Sequence, residues 1–218
     1  MRNIALLIDW ENLRKEIESI QKNSPEYRKF NYNDPSMIHR LFLNTLNHDK
    51  ERLYRIFFYT ALPLHPDKIV HLIKRRRDIN SELWENYYSN NKDKIDNIFK
   101  SSKKLLYEIV RFDYIALRLG DLQIQGQASD GHLIMSQKKV DMLIGLDIAH
   151  LAYNKLSDEV RIYCKDKDLA PALKTARING LNVSIANLKG GYKISNHIYR
   201  HIDTVYNVDL INAIPTGK

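Results

Sequence analysis

Val160-Arg161-Ile162-Tyr163-Cys164-Lys165-Asp166-Lys167-Asp168 decides the fold. Its first five residues read as a short buried strand. Two carboxylates stand directly behind it, where Leu169-Ala170-Pro171 opens a helix. The chain begins in the same manner: Ile4-Ala5-Leu6-Leu7-Ile8 runs into Asp9, with Asn12 close behind. Near-continuous apolar runs are what a parallel strand covered on both faces requires. If the two strands are neighbours, Asp9, Asp166 and Asp168 meet at one edge of one sheet. Asp141, at the head of an apolar helix over residues 140–153 that also carries Asp147, is a further acid for that edge. Like charges brought together raise one another's pKa and cost stability unless a cation neutralises them. Clustered acids at the carboxyl ends of parallel strands therefore point to a divalent metal.

Outward from these two strands the pattern alternates. Residues 10–20 read as a helix, residues 34–46 as another opened by Asp34-Pro35, and residues 53–60 as a strand. Residues 67–79 read as a helix ending in Lys74-Arg75-Arg76-Arg77, and residues 81–108 as a charged helical stretch. A third strand over 112–119 precedes a hairpin of 122–127 and 132–135. After the strand at Val160 come a helix over 169–179 stopped by Gly180, a strand over 182–187, a helix over 196–206 and a frayed tail from Ile214. This order predicts a three-layer α/β/α sandwich with a mainly parallel central sheet. It predicts one domain over residues 1–218, with helical or loop insertions around 20–50 and 75–110. Ligands of such sheets bind beyond the carboxyl ends of the strands, where the acids fall.

Composition narrows the partners. Lys and Arg number 34 against 26 Asp and Glu, a net charge of +8, which favours a polyanion because neutralising phosphates releases counterions. Cys164 is the only cysteine, which excludes an internal disulfide and a cysteine-rich zinc site and fits a reducing, cytoplasmic setting. No stretch approaches the ~20 apolar residues of a membrane span. The histidines form no H-E-x-x-H grouping, and no Gly-rich nucleotide motif is present, Lys189-Gly190-Gly191 reading as a turn.

The acid motifs also carry a family resemblance. Ile8-Asp9-Trp10-Glu11-Asn12-Leu13 resembles the I-D-x-x-N-L signature of NYN-domain proteins, a branch of the PIN-like metal-dependent ribonucleases. Lys138-Lys139-Val140-Asp141 is similar to their K-G-V-D, and Leu146-Asp147 to the V-D that follows. Cys164-Lys165-Asp166-Lys167-Asp168-Leu169-Ala170-Pro171 resembles S-G-D-S-D-F-x-P. Each motif alone is weak; their common order is specific. Cys164, Lys165, Lys139 and Leu169 depart from the pattern, and none of the departures removes an acid.

The resemblance implies a metal-dependent endoribonuclease. Asp9, Asp141, Asp166 and Asp168 would hold Mg²⁺ or Mn²⁺, with Asn12 orienting a carboxylate, a water or the scissile phosphate. Asp147 follows Asp141 by six residues, about 120° around a helix, so it is expected to support the ligands from behind. Lys138, Lys139, Lys165 and Lys167 flank the acids and are the expected RNA contacts. Tyr87, Tyr88, Tyr192 and Tyr199 are open to either base stacking or packing, His150 is expected to pack, and Cys164 to be buried.

Blander roles remain open. Asp9 and Asp168 stand where helix N-caps stand, a role that needs no ion. The Lys74–Arg77 run complements a helix dipole as readily as it meets RNA. The rivals to RNA hydrolysis are an RNA-binding module without catalysis, a metal-dependent DNase or structure-specific nuclease, and more distantly a phosphatase. A homodimer or a regulatory protein partner stays open.

Overall fold

In a computed structural model, described over residues 1–215, the chain folds as an α/β unit around a seven-stranded sheet. The sheet order is β4-β3-β2-β1-β5-β6-β7. The strands are β1 (Arg2–Asp9), β2 (Glu51–Ala61), β3 (Ile115–Gln127), β4 (Leu133–Lys138), β5 (Glu159–Tyr163), β6 (Asn182–Leu188) and β7 (Thr204–Val208). Every neighbouring pair is parallel except β3–β4, the predicted hairpin. The helices are α1 (Trp10–Asn23), α2 (Pro35–Leu43), α3 (Pro66–Ile73), α4 (Ser81–Ile109), α5 (Val140–Tyr153), α6 (Ala170–Ile178) and α7 (Asn196–Tyr199).

Central β1 is buried on both faces because its residues alternate between two cores. Ile4, Leu6 and Ile8 pack with Leu13 and Ile17 of α1, Leu41 and Phe42 of α2, and Leu105 and Ile109 of α4. Ala5 and Leu7 pack with Ile144 and Ile148 of α5 and Leu173 and Ala176 of α6. Each fully buried Ile or Leu contributes about 1.5–3 kcal/mol, so this strand anchors the fold. Helices thus lie against both faces, but the sheet is curled into a half-barrel rather than lying flat. Strand twist accumulates across seven strands, and bulges at Ile4/Ala5 and Ile124/Gly126 add to it.

Several predicted elements have different limits. Residues 20–50 are built into the core, through Tyr27, Phe30, Ile38 and Phe42. The stretch around 75–110 is mostly α4, bent at Asn91 (φ −122°, ψ 16°), whose Trp84 closes a satellite core with Ile69, Ile73, Ile124 and Leu133. The third strand and the first hairpin strand are one element, β3. The helix predicted over 196–206 ends after Tyr199, and Thr204–Val208 forms the edge strand β7 instead. The part of the tail at residues 216–218, expected to fray, lies outside the described residues.

At the amino ends of the strands, Arg161 of β5 is fully buried. Its guanidinium donates to Glu51 at 2.9 Å, to Glu159 at 2.8 Å and to the Thr45 carbonyl. The Tyr206 ring lies 3.4 Å from the guanidinium carbon. Arg2 adds a second cation to both carboxylates, and Ser184 donates to Glu159 at 2.5 Å. Burial pushes the Glu51 carboxyl up, but the hydrogen bonds from Arg161, the Asn47 N–H and Tyr206, with the Arg161 charge, together hold the group below the usual carboxylate range.

Candidate functional site

Asp9 closes β1 and begins α1. Its backbone is extended (φ −74°, ψ 98°), and its Oδ1 accepts the Asn12 N–H at 3.1 Å, so it caps the helix. The other oxygen, Oδ2, lies 3.5 Å from the Cys164 thiol, which follows β5 on the neighbouring strand. The residue is 6% exposed and has no ion pair among the described residues. Burial pushes its carboxyl up to about 6; the Asn12 and Cys164 hydrogen bonds pull the other way, and the Asp141 and Glu11 charges add to the rise. Cys164 is 5% exposed, and burial next to Asp9 raises its thiol well above the ordinary value, so it is not a ready nucleophile.

Asp141 sits in the first turn of α5. Lys139 reaches that start in a left-handed conformation (φ 72°), and Gly120 is required beside it, since a Cβ there would lie 2.5 Å from the Lys138 carbonyl. The Asp141 side chain is exposed, but partial desolvation raises its carboxyl, and the charges of Asp166 and Asp168 raise it further. Asp166 accepts the Asp168 N–H at 3.0 Å and caps the short 3-10 turn that leads into α6. It is therefore Asp166, not Asp168, that caps; the Asp168 side chain is exposed. Asp141 links the acids: its charge acts on Asp9, and those of Asp166 and Asp168 act on it.

Among the described residues, no three His, Cys, Asp or Glu side chains stand close enough together to hold an ion. Carboxylate oxygens, the donors these acids offer, are the ligand type that magnesium and manganese prefer. Mg²⁺ takes one or two carboxylates directly and keeps several waters, so it needs no closed protein cage. A buried carboxylate that feels the like charge of Asp141 and has no paired cation among the described residues is costly to ionise.

Asp9, Asn12 and Asp141 share a cleft of about 770 Å³. Its walls are α1, the end of β2 at Thr60 and Ala61, the β3–β4 hairpin and the second half of α4. The lining is rich in neutral hydrogen-bonding groups: Asn33, Ser101, Ser102, Ser136 and Gln137 besides Asn12. Ser136 Oγ is buried without a partner, a hydrogen-bonding capacity the protein itself does not use. The basic side chains of α1 in this cleft are already paired, Arg14 with Glu11 at 2.9 Å and Glu18 at 2.5 Å, Lys15 with Glu11 at 3.4 Å.

The expected flanking residues divide. Lys138 and Lys167 are exposed and free of ion pairs among the described residues. Lys139 is exposed but pairs with Asp121 at 2.5 Å. Lys165, expected to meet RNA, is turned inward instead: its side chain is only 6% exposed, and its ammonium bonds Glu16 at 2.5 Å and the Tyr192 carbonyl at 2.7 Å. Asp147 touches none of the four acids. It accepts from Tyr59 at 2.8 Å and from Arg118 at 2.9 Å, tying α5 to β2 and β3. Tyr87 and Tyr88 stack on Trp84, 6.1 and 5.8 Å between centroids, and belong to packing. His150, expected to pack, is exposed and bonded to Asn154 at 3.1 Å. In the basic run, Arg76 pairs with Asp78 and donates to the Ile124 carbonyl at 2.7 Å, fastening the α3–α4 connection to the hairpin.

Nothing in the sequence pattern marks Glu16, Ser136 or Gln137. Glu16 lies in an ordinary amphipathic helix, and only the fold brings Lys165 to it. The hairpin residues gained meaning only when α4 was laid across them.

No protein-family model and no curated protein matches this chain. The chain is similar to the crystal structure of a protein of unknown function from Vibrio parahaemolyticus, at 14% identity and a TM-score of 0.49, over 94% of this chain and 92% of that one. Among the described residues no helix is long and apolar enough to cross a membrane.

Proposed function

We propose that this protein is a metal-dependent endoribonuclease of the NYN/PIN-like type, working in the cytoplasm. The observation that carries the reading is Asp9, a buried and unneutralised carboxylate whose pKa is pushed up to about 6 by burial and further by Asp141, at the carboxyl edge of a mostly parallel sheet. On this reading the curled sheet, with helices on both faces, is a variant of the three-layer PIN-like sandwich. Asp9 and Asp141, which share the cleft, would hold Mg²⁺ or Mn²⁺ directly, and Asp166 and Asp168 would act on its water shell. A bound ion would supply an acidified water and charge stabilisation at a phosphodiester. Asn12 lies on the same lining and would orient the phosphate or the water. The unpartnered Ser136 hydroxyl and neighbouring Gln137 suit the edge of a base better than a phosphate, since both are neutral hydrogen-bonding groups. The net charge of +8 favours approach of a polyanion to a locally acidic centre.

A second reading, an RNA-binding module without catalysis, is favoured by one observation: both Asp9 oxygens already have partners within the protein. Labelled single-stranded RNA and DNA incubated with Mn²⁺ or Mg²⁺, with and without chelator, decide between them. The expected result is metal-dependent cleavage of RNA that Asp9→Asn abolishes. Binding without cleavage by any metal-loaded wild-type preparation would establish the second reading, and cleavage of DNA alone would change the substrate class.

A further inference from the structure

A separate open groove of about 710 Å³ lies beyond the carboxyl ends of β6 and β7. Because β6 neighbours β5, whose end carries the Asp166 turn, the groove is next along the edge that holds the acids. Two strand spacings, roughly 10 Å, separate β1 from β6. Tyr192 and Tyr199 line it, 44% and 52% exposed, and so does Lys193, exposed and without an ion pair among the described residues.

The loop bearing Tyr192 is held in place from two sides. Glu16 Oε1 accepts the Tyr192 N–H at 2.9 Å and the Lys165 ammonium at 2.5 Å, and Lys165 also donates to the Tyr192 carbonyl at 2.7 Å. The Tyr192 hydroxyl donates to the Lys15 carbonyl at 3.2 Å. Gly191 makes the approach feasible, since a Cβ there would meet the Glu16 carboxylate at 1.9 Å. A buried ion pair is costly to desolvate and adds little net stability, so it is a poor way merely to close a turn. Here it fixes the backbone of an exposed tyrosine to the residue directly before Asp166.

We propose that this groove is a subsite for single-stranded nucleic acid running out of the acid site, with Tyr192 and Tyr199 stacking on bases and Lys193 meeting a phosphate. Every base has a π-face, so such a platform tolerates any sequence. The proposal rests on the reading that the acids cut a phosphodiester, and the two can fail separately.

The test measures binding of a short labelled single strand, RNA in one arm and DNA in the other, to the full chain in EDTA so that nothing is cut. Tyr192→Ala and Tyr199→Ala should each weaken binding by about 5- to 100-fold. Tyr199→Phe, which keeps the ring, should bind as wild type does. Tyr192→Phe, which keeps the ring but loses the bond to Lys15, should bind better than Tyr192→Ala, and Lys193→Ala should flatten the log–log salt dependence by about one unit. Melting curves check that each variant is folded. Alanine variants that bind like wild type, while wild type with Mn²⁺ still cleaves, would overturn the subsite and leave the nuclease reading intact. Tyrosine-dependent binding by a protein that no metal makes cleave would keep the subsite and remove the nuclease. Wild type binding neither strand would remove both.

Discussion

The two ends of one sheet treat charge in opposite ways. At the amino ends, Arg161 is as deeply buried as any residue in the protein, yet every charge near it is answered: Glu51 and Glu159 face it and Arg2 backs them. At the carboxyl ends, Asp9 is buried nearly as deeply and meets Asp141, a like charge, with no cation paired to it among the described residues. The same burial leaves Glu51 below its ordinary pKa and Asp9 above it. A chain able to neutralise buried carboxylates at one edge has left one, Asp9, uncompensated at the other. Strain of that kind concentrates at sites that bind something.

The sharpest way to break the contrast is to unpair the amino edge. Arg161→Leu leaves two buried carboxylates with only the half-exposed Arg2 to answer them and is expected to cost about 3–5 kcal/mol in denaturant unfolding. Asp9→Asn, which removes a charge instead of orphaning one, should leave stability unchanged or raised above pH 6. Equal losses in the two variants would erase the distinction between the edges.

Next in size is a pH effect. The Asp9 pKa is raised in the folded state from 3.8 to about 6, so the folded protein holds the proton more tightly than the unfolded chain does. Stability from this group is therefore full below the unfolded value and is lost as pH rises through about 6, by roughly 3 kcal/mol at most. Unfolding curves between pH 4 and pH 7 should show this decline in wild type and a shallower one in Asp9→Asn. Parallel curves would mean that Asp9 is not buried as a carboxylate.

The smallest expected effect concerns the lysines left free at the carboxyl edge. Lys138→Ala with Lys167→Ala should lower the slope of log affinity for RNA against log salt by up to about two units, one per phosphate contact. Lys165→Ala should act differently, loosening the loop at Tyr192 through Glu16 and showing first as a lower melting temperature. If Lys165→Ala changed only the salt slope, its side chain would have to leave the pair with Glu16.

Much of this contrast was legible in the residues, but unevenly. Strands β1 and β5 could be read because their apolar runs stop at acids, and their adjacency brought Asp9 to the end of β5 as expected. The helix limits failed where two periodicities overlap. Ile198, Ile202 and Tyr206 share a helical spacing, yet Thr204, Val205 and Val208 prefer the free edge of β6, and Asp203 bonds the Val183 N–H at 2.8 Å to start that pairing. The amino-edge network was invisible, because Glu51, Glu159 and Arg161 meet only through the registers of three strands. Asp147 was read as a support for the acids from its motif, whereas its place on α5 turns it to Tyr59 and Arg118. Lys165 carried the same ambiguity: sequence sets it beside Asp166, and only the fold supplies Glu16.

The most direct test of the uncompensated edge is the effect of Mn²⁺ on the folded state. A cation bound by Asp9, Asp141, Asp166 and Asp168 binds folded protein better than unfolded chain. It should then stabilise by RT ln(1 + [L]/Kd), about 2.7 kcal/mol at a hundredfold excess over Kd. Thermal melting with millimolar Mn²⁺, alongside titration calorimetry, should show a rise in wild type and in an Asp49→Asn control, and none in Asp9→Asn. No heat of binding and no shift in wild type would contradict the account, leaving Asp9 and Asp166 as helix caps in a protein that holds no metal.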